Sequence, residues 1–193
     1  MLPAMDLRVS TLFVMLTYCF WYGDARNYDQ TLTVANGGGW GEWAQPALCK
    51  EGYVKGFALK VESYQGSLAW NDDTGLNGIR LYCDNDETVT SKIGEWGSWR
   101  KPEYCPKGHL TSFSLQVEPS QGAIYDDTAA NNIKFVCNEG FVLTGEAHDW
   151  GKFGFWSEPC SSGAICGLQT KIEDSQGSGD DTALNDVRFF CCK

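Results

Sequence analysis

A chain of 193 residues with 25 acidic against 15 basic side chains has a formal net charge of −10, and it carries 22 glycines and 9 cysteines. Its length fits one domain or two small ones. Its acidity opposes phosphate backbones and anionic lipid, which argues against nucleic-acid and membrane partners and leaves basic proteins and neutral glycans open.

In chain order, the first element is a leader over residues 1–25. Arg8 precedes an apolar run from Val9 to Tyr22, and Gly23-Asp24-Ala25 puts small residues at the −3 and −1 positions of a cleavage site. The run is about 14 residues, short of the roughly 20 that span a bilayer as a helix. It reads as a cleaved signal peptide rather than an anchor, with the mature, secreted, extracellular chain beginning near Arg26. Cys19 leaves with it, and eight cysteines remain: Cys49, Cys83, Cys105, Cys137, Cys160, Cys166, Cys191 and Cys192. An even number in a secreted chain predicts four disulfides. No CxxC pair occurs, and His109 and His148 have no metal-ligand spacing, so neither metal nor cofactor is expected. No N-glycosylation sequon is present either.

From there the chain repeats itself. DDTGLNGIRLYC (72–83) returns as DDTAANNIKFVC (126–137) and DDTALNDVRFFC (180–191), with a spacing of 54 residues each time. VESYQG, VEPSQG and IEDSQG precede these blocks. Further upstream stand WGEW (40–43), WGSW (96–99) and, as the nearest match in the third copy, FGFW (153–156). The pairs Cys49/Gly52, Cys105/Gly108 and Cys160/Gly163 complete each copy. Residues 26–193 therefore read as a single domain of three repeats, about 31–85, 86–139 and 140–193.

Each copy predicts two half-buried strands of period two. The first places Phe57, Leu59, Val61 on one face, then Phe113, Leu115, Val117, then Leu168, Thr170, Ile172; the second places Ile79, Leu81, Cys83 and their counterparts. No segment after the leader has a helical period, so the class is all-β, with three small sheets packed about a common pseudo-threefold axis. Eight cysteines alone allow 105 pairings. Repetition selects Cys49–Cys83, Cys105–Cys137 and Cys160–Cys191, leaving Cys166–Cys192 as a bridge of the third copy only.

Together, the three copies, the WGxW element, the (V/I)Ex(x)QG element, the DDT block and the cysteine placement resemble the vitelline membrane outer layer protein 1 family over about residues 30–193. The resemblance implies a β-prism of three four-stranded antiparallel sheets, one per repeat. It also implies a secreted protein of the egg's outer coat and other secretions, lying with mucin-type glycoprotein and lysozyme. A transferase-like activity on N-acetylglucosamine oligosaccharides is associated with the family, with no catalytic residues attached to it.

The candidate residues have competing readings. Asp72/Asp73, Asp126/Asp127 and Asp180/Asp181 are carboxylate pairs, but neighbours on an extended chain face opposite ways and one active site needs no threefold copy. A turn in which Asp and Thr side chains bond local amides, with Asn77, Asn131 and Asn185 closing it, is the first expectation. Glycan contact comes second, and catalysis or cation binding third. Recurring Trp43, Trp99 and Trp156 read as packing at the prism ends or core, whereas Trp70 and Trp150, read as unrepeated, are candidate glycan contacts. Glu62, Glu118 and Glu173 recur on the first strand's polar face and are expected to bond the Gln-Gly turn. Because the loops between Gln-Gly and the Asp pair differ in length, any specificity is expected there.

The expected function is a non-catalytic, disulfide-bonded component of an extracellular coat or fluid that binds glycoproteins or their glycans. Expected partners are mucin-type glycoproteins, N-acetylglucosamine-containing glycans, or basic proteins such as lysozyme. The alternatives are a glycosyl transferase or hydrolase acting on N-acetylglucosamine oligomers, and a lectin.

Overall fold

A computed structural model describes residues 26–63, 74–119, 129–175 and 182–193. The leader and the loops carrying Trp70 and the six paired aspartates, Asp72, Asp73, Asp126, Asp127, Asp180 and Asp181, lie outside the described residues. The described residues form strands only: β1 (Gln30–Leu32), β2 (Glu42–Trp43), β3 (Ala47–Leu48), β4 (Val54–Val61), β5 (Leu76–Cys83), β6 (Thr88–Thr90), β7 (Ser98–Trp99), β8 (Glu103–Tyr104), β9 (Leu110–Val117), β10 (Ala130–Cys137), β11 (Val142–Thr144), β12 (Lys152–Phe153), β13 (Ala164–Ile172) and β14 (Leu184–Cys192).

They build three antiparallel sheets, in the orders β6-β5-β4-β7, β11-β10-β9-β12 and β1-β14-β13-β2. In the first and third, β8 and β3 continue the interrupted outer strand along β4 and β13. Each sheet takes its two long central strands from one copy. Its outer strands come from the segment that follows, so a sheet is not the product of one repeat. The third sheet takes its outer strands from residues 30–48 instead, with Gln30 opposite Cys191 and Leu32 opposite Phe189. The two ends of the domain are thereby paired in one sheet.

The alternation read from sequence sets the inner faces. Phe57, Phe113, Phe135 and Phe189 meet on the axis, with ring centroids 4.7 Å apart for Phe57–Phe135 and Phe113–Phe189, and 5.0 Å for Phe135–Phe189. Thr170 stands opposite Val187 where Leu59 and Leu115 stand opposite isoleucines. It is fully buried, and its Oγ1 donates to Lys92 O at 2.7 Å, so its hydroxyl is satisfied.

Trp43 and Trp99 are not in this core. They lie half-buried on the outer faces, where Arg188 sits 3.8 Å from the Trp43 ring and Arg80 sits 4.0 Å from the Trp99 ring. Lys134 over Phe153, at 3.9 Å, is the third member of this set. Cation–π contact and a long aliphatic stem explain the recurrence of an aromatic there without core burial. Trp156 falls outside the set and is 44% exposed beside the almost fully exposed Phe155.

Disulfides Cys49–Cys83, Cys105–Cys137 and Cys160–Cys191 each join two neighbouring sheets at one end of the prism. Cys49, Cys105 and Cys160 are hydrogen-bonded to β13, β4 and β9, while Cys83, Cys137 and Cys191 lie in β5, β10 and β14. Cys166–Cys192 adds a bridge within the third sheet. Asp84 links two sheets at that end. It accepts from Tyr53 N and from His109 Nε2, each at 2.8 Å. Burial pushes its carboxyl up, but the Tyr53 amide and the His109 ring, aided by the charges of His109 and Lys55, outweigh this and hold it below the usual range. A depressed carboxylate contributes stability that is present above its unfolded pKa and lost as pH falls through the folded one. Asp84→Asn should therefore cost stability at neutral pH, with the difference from wild type closing on acidification below the normal aspartate range. Because the side chain is partly exposed, screening keeps the effect to about 1 kcal/mol or less. Thermal melts at stepped pH check this; a gap that widens in acid would contradict it.

Candidate functional site

At the opposite end the first central strand of each pair finishes beside Glu62, Glu118 or Glu173. In the first copy Thr74 Oγ1 donates to Glu62 Oε2 at 2.7 Å, and Asn77 Nδ2 donates to Thr74 Oγ1 at 2.5 Å. In the third, Thr182 Oγ1 reaches Glu173 Oε2 at 2.6 Å and Asn185 Nδ2 reaches Thr182 Oγ1 at 2.6 Å. These asparagines are fully buried, so every polar atom needs a partner. Their Oδ1 atoms find one in a tryptophan loop: Trp96 N donates to Asn77 at 3.1 Å and Trp40 N to Asn185 at 3.2 Å. The recurring Glu, Thr and Asn thus form a relay from a strand end into a tryptophan loop. The residue after each threonine is left-handed: Gly75 at φ 64°, Ala129 at 45° and Ala183 at 46°. Alanine is disfavoured there, and in the third copy Thr182 and Asn185 fix the chain on both sides of Ala183.

The tryptophan loops are also clamped from outside. Lys60 Nζ donates to Gly94 O at 2.7 Å and Glu95 O at 2.8 Å, Lys171 Nζ to Gly39 O at 2.6 Å, and Gln116 Nε2 to Trp150 O at 2.8 Å. After each tryptophan a left-handed glycine (Gly41, Gly97 or Gly151) presses on a strand end so closely that a Cβ would overlap backbone atoms. This corrects the repeat. The third copy's element is Trp150-Gly151-Lys152-Phe153, not FGFW, so Trp150 is the counterpart of Trp40 and Trp96 and is not unrepeated. Trp40 is 62% and Trp96 49% exposed. Trp150 is half-buried, stacked on the His148 ring with centroids 4.3 Å apart.

Between each tryptophan loop and a neighbouring sheet lies one of three pseudo-equivalent positions. At Lys92–Trp96 there is a cleft of about 240 Å³ against Glu173 and Asp174. Its lining is acidic, with Lys92 Nζ paired to Asp174 at 2.5 Å. At Asn36–Gly39 there is a cleft of about 500 Å³ against Val117–Pro119 and Lys152–Gly154. At the third position His148 donates Nε2–H to Glu62 O at 2.6 Å. Against Gly37 in the Asn36–Gly39 loop, burial pushes the Asp186 carboxyl up, opposed by the Val187 amide and the charges of Lys171 and Arg188.

Of the candidate glycan contacts read from sequence, only Trp150 lies among the described residues, and it belongs to this end. The glutamates bond the threonine side chains across the strand pair in the first and third copies; the Gln-Gly turns lie outside the described residues. Among the described residues no group of three or more acidic, histidine or cysteine side chains could hold a metal ion. The glycine clefts escape a reading of the sequence because a glycine run carries no chemistry of its own.

A model of the family described as Vitelline membrane outer layer protein I (VOMI) matches residues 30–193. The Homo sapiens protein named vitelline membrane outer layer protein 1 homolog is 49% identical over 179 residues, covering 88% of this chain and 87% of that protein. The Mus musculus homolog is 43% identical over 203 residues, covering 97% and 99%. Among solved structures, a mannose-binding lectin from Champedak aligns with a TM-score of 0.55 at 12% identity over 88% of this chain and 100% of that one. Calystegia sepium agglutinin gives 0.55 at 13% identity over 86% and 97%. At such identities the likeness speaks for the β-prism fold.

Proposed function

Because the chain belongs to the vitelline membrane outer layer protein I family, we propose that it is a secreted component of an extracellular coat or fluid that binds glycans of extracellular glycoproteins through the loop end of its prism. The observation that carries this is the convergence of three tryptophan loops at one end, two with exposed indoles, on a frame pinned by buried hydrogen bonds. Aromatic faces beside fixed polar groups suit the apolar faces and hydroxyls of sugar rings. Of the three carboxylates that line the acidic cleft, Glu173 is engaged by Thr182 and Asp174 by Lys92. That leaves Glu95 without a second carboxyl to work with, which favours binding over paired acid/base chemistry. Mucin-type glycoproteins fit as glycan carriers, and the net charge of −10 suits a basic partner such as lysozyme.

The test is to titrate the oxidised protein with N-acetylglucosamine oligomers of defined length, following heat and chain length together. Saturable heat with unchanged oligomers is the expected result. New oligomer lengths would replace this reading with the enzymatic one, and no heat with these or with mannose oligomers would remove it.

A further inference from the structure

We infer that the cleft beneath the Gly37–Gly39 loop, facing Val117–Pro119 and Phe153, is the site for a neutral saccharide, the one of three pseudo-equivalent positions that the chain has cleared for a ligand. This rests on the glycan-binding reading above and says where, and for which sugars, it holds. Shared hydrogen bonds make the three positions comparable: Gly38 N donates to Asn185 O at 2.7 Å as Gly94 N does to Asn77 O at 2.6 Å. Residues 37–39 therefore correspond to Ile93-Gly94-Glu95, and the 54-residue spacing from Trp96 to Trp150 adds Ala147-His148-Asp149.

Two of the three glycines have packing reasons. A Cβ on Gly37 would lie inside Asp186, and one on Gly38 would meet Asn185 Oδ1 at 2.5 Å. Gly39 has none. Nothing lies within 4 Å of where its Cβ would be, and its φ is not left-handed. The counterparts are Glu95 and Asp149, so the fold accepts a side chain here. What the bare Cα does provide is space. This cleft is about 500 Å³ against about 240 Å³ for its neighbour, and His148 occupies the third position. Small-molecule sites run from roughly 300 to 1,000 Å³.

The lining indicates the class of ligand. One carboxylate, Glu118, and one ammonium, Lys152, leave no net charge, whereas the smaller cleft is acidic. Val117, Pro119 and Phe153 offer apolar contact, and the glycine backbone can be approached closely, with Gly38 N and Gly39 O already engaged by Asn185 and Lys171. Asn36 anchors the loop by donating Nδ2–H to Leu115 O at 2.9 Å, and its buried Oδ1 has no partner among the described residues. Lys171 holds Gly39 O at 2.6 Å, so the loop is fixed before anything binds. Balanced charge, apolar surface and a closely approachable backbone suit an uncharged pyranose better than a sialylated or sulfated one.

The test measures affinity for neutral and sialylated oligosaccharide panels in wild type, Gly39→Phe, Gly39→Asp and, as an exposed aromatic at the disulfide end, Tyr104→Ala, each checked by thermal melt. Expected are a wild type that prefers neutral glycans, a tenfold or greater loss in both Gly39 variants at unchanged melting temperature, and a loss under threefold in Tyr104→Ala. Gly39→Asp serves if the larger side chain disturbs the loop. Wild-type binding that survives both Gly39 substitutions, or favours sialylated glycans, overturns this inference while the glycan-binding reading stands. Absence of any wild-type binding overturns both.

Discussion

Phe135→Ala is expected to remove about 3–5 kcal/mol of stability, with a drop in melting temperature of roughly 6–20 °C for a domain of this size. Phe135 is fully buried, and its ring meets an aromatic ring from every sheet: Phe57 at 4.7 Å, Phe113 at 6.4 Å and Phe189 at 5.0 Å. Truncation leaves a cavity on the axis that no single sheet can collapse into, since the three inner faces hold one another apart. The loss should appear as one cooperative transition shifted as a whole. Phe153→Ala, on the outer face under Lys134, should cost far less. A Phe135→Ala melt with one sheet's signal shifted and the rest unchanged would contradict a shared core.

Asn77→Ala should cost about 2–4 kcal/mol, because two groups lose partners that water cannot replace at a buried site. Thr74 Oγ1 loses the Asn77 donor, and Trp96 N loses its acceptor. Asn77→Asp should be nearly as damaging. It replaces a donor by an acceptor in a buried site and adds a negative charge to the relay that already holds Glu62. Chemical denaturation of both variants checks this, with Asn85→Ala, in an exposed turn, as the benign comparison. A cost under 1 kcal/mol at Asn77 would mean that the relay is decorative.

Much of this frame is legible in the amino-acid sequence. Period-two faces such as Phe57/Leu59/Val61 stand out because each central strand is buried on one side throughout. Three bridges follow from repetition and Cys166–Cys192 from the two cysteines left over, which narrows the pairings in a way that counting cannot. The composite sheets are not legible, since outer strands of two or three residues, such as Glu42–Trp43 and Thr88–Thr90, carry too little periodicity to reveal a partner. The third tryptophan element misaligns because Phe153 replaces tryptophan and FGFW imitates the pattern by chance. The signal that finds it is the glycine following the first aromatic, since only Gly151 among the choices takes the left-handed turn of Gly41 and Gly97. Thr74 and Asn77, residues that sequence alone assigns to local amides, instead bond other side chains and the following tryptophan loop. That shift matters for function. Once the repeated polar residues are occupied in holding the frame, what remains for ligands is where the copies differ: Gly39 against Glu95 and Asp149, and His148 against Gly38 and Gly94.

The most direct measurement follows the indole N–H signals of ¹⁵N-tryptophan-labelled, fully oxidised protein during titration with neutral oligosaccharide. Glycan binding at the loop end predicts saturable shifts led by Trp40, with Trp43, Trp99 and Trp156 unmoved. Shifts confined to Trp156 and the outer-face indoles, or none up to millimolar sugar, would contradict it.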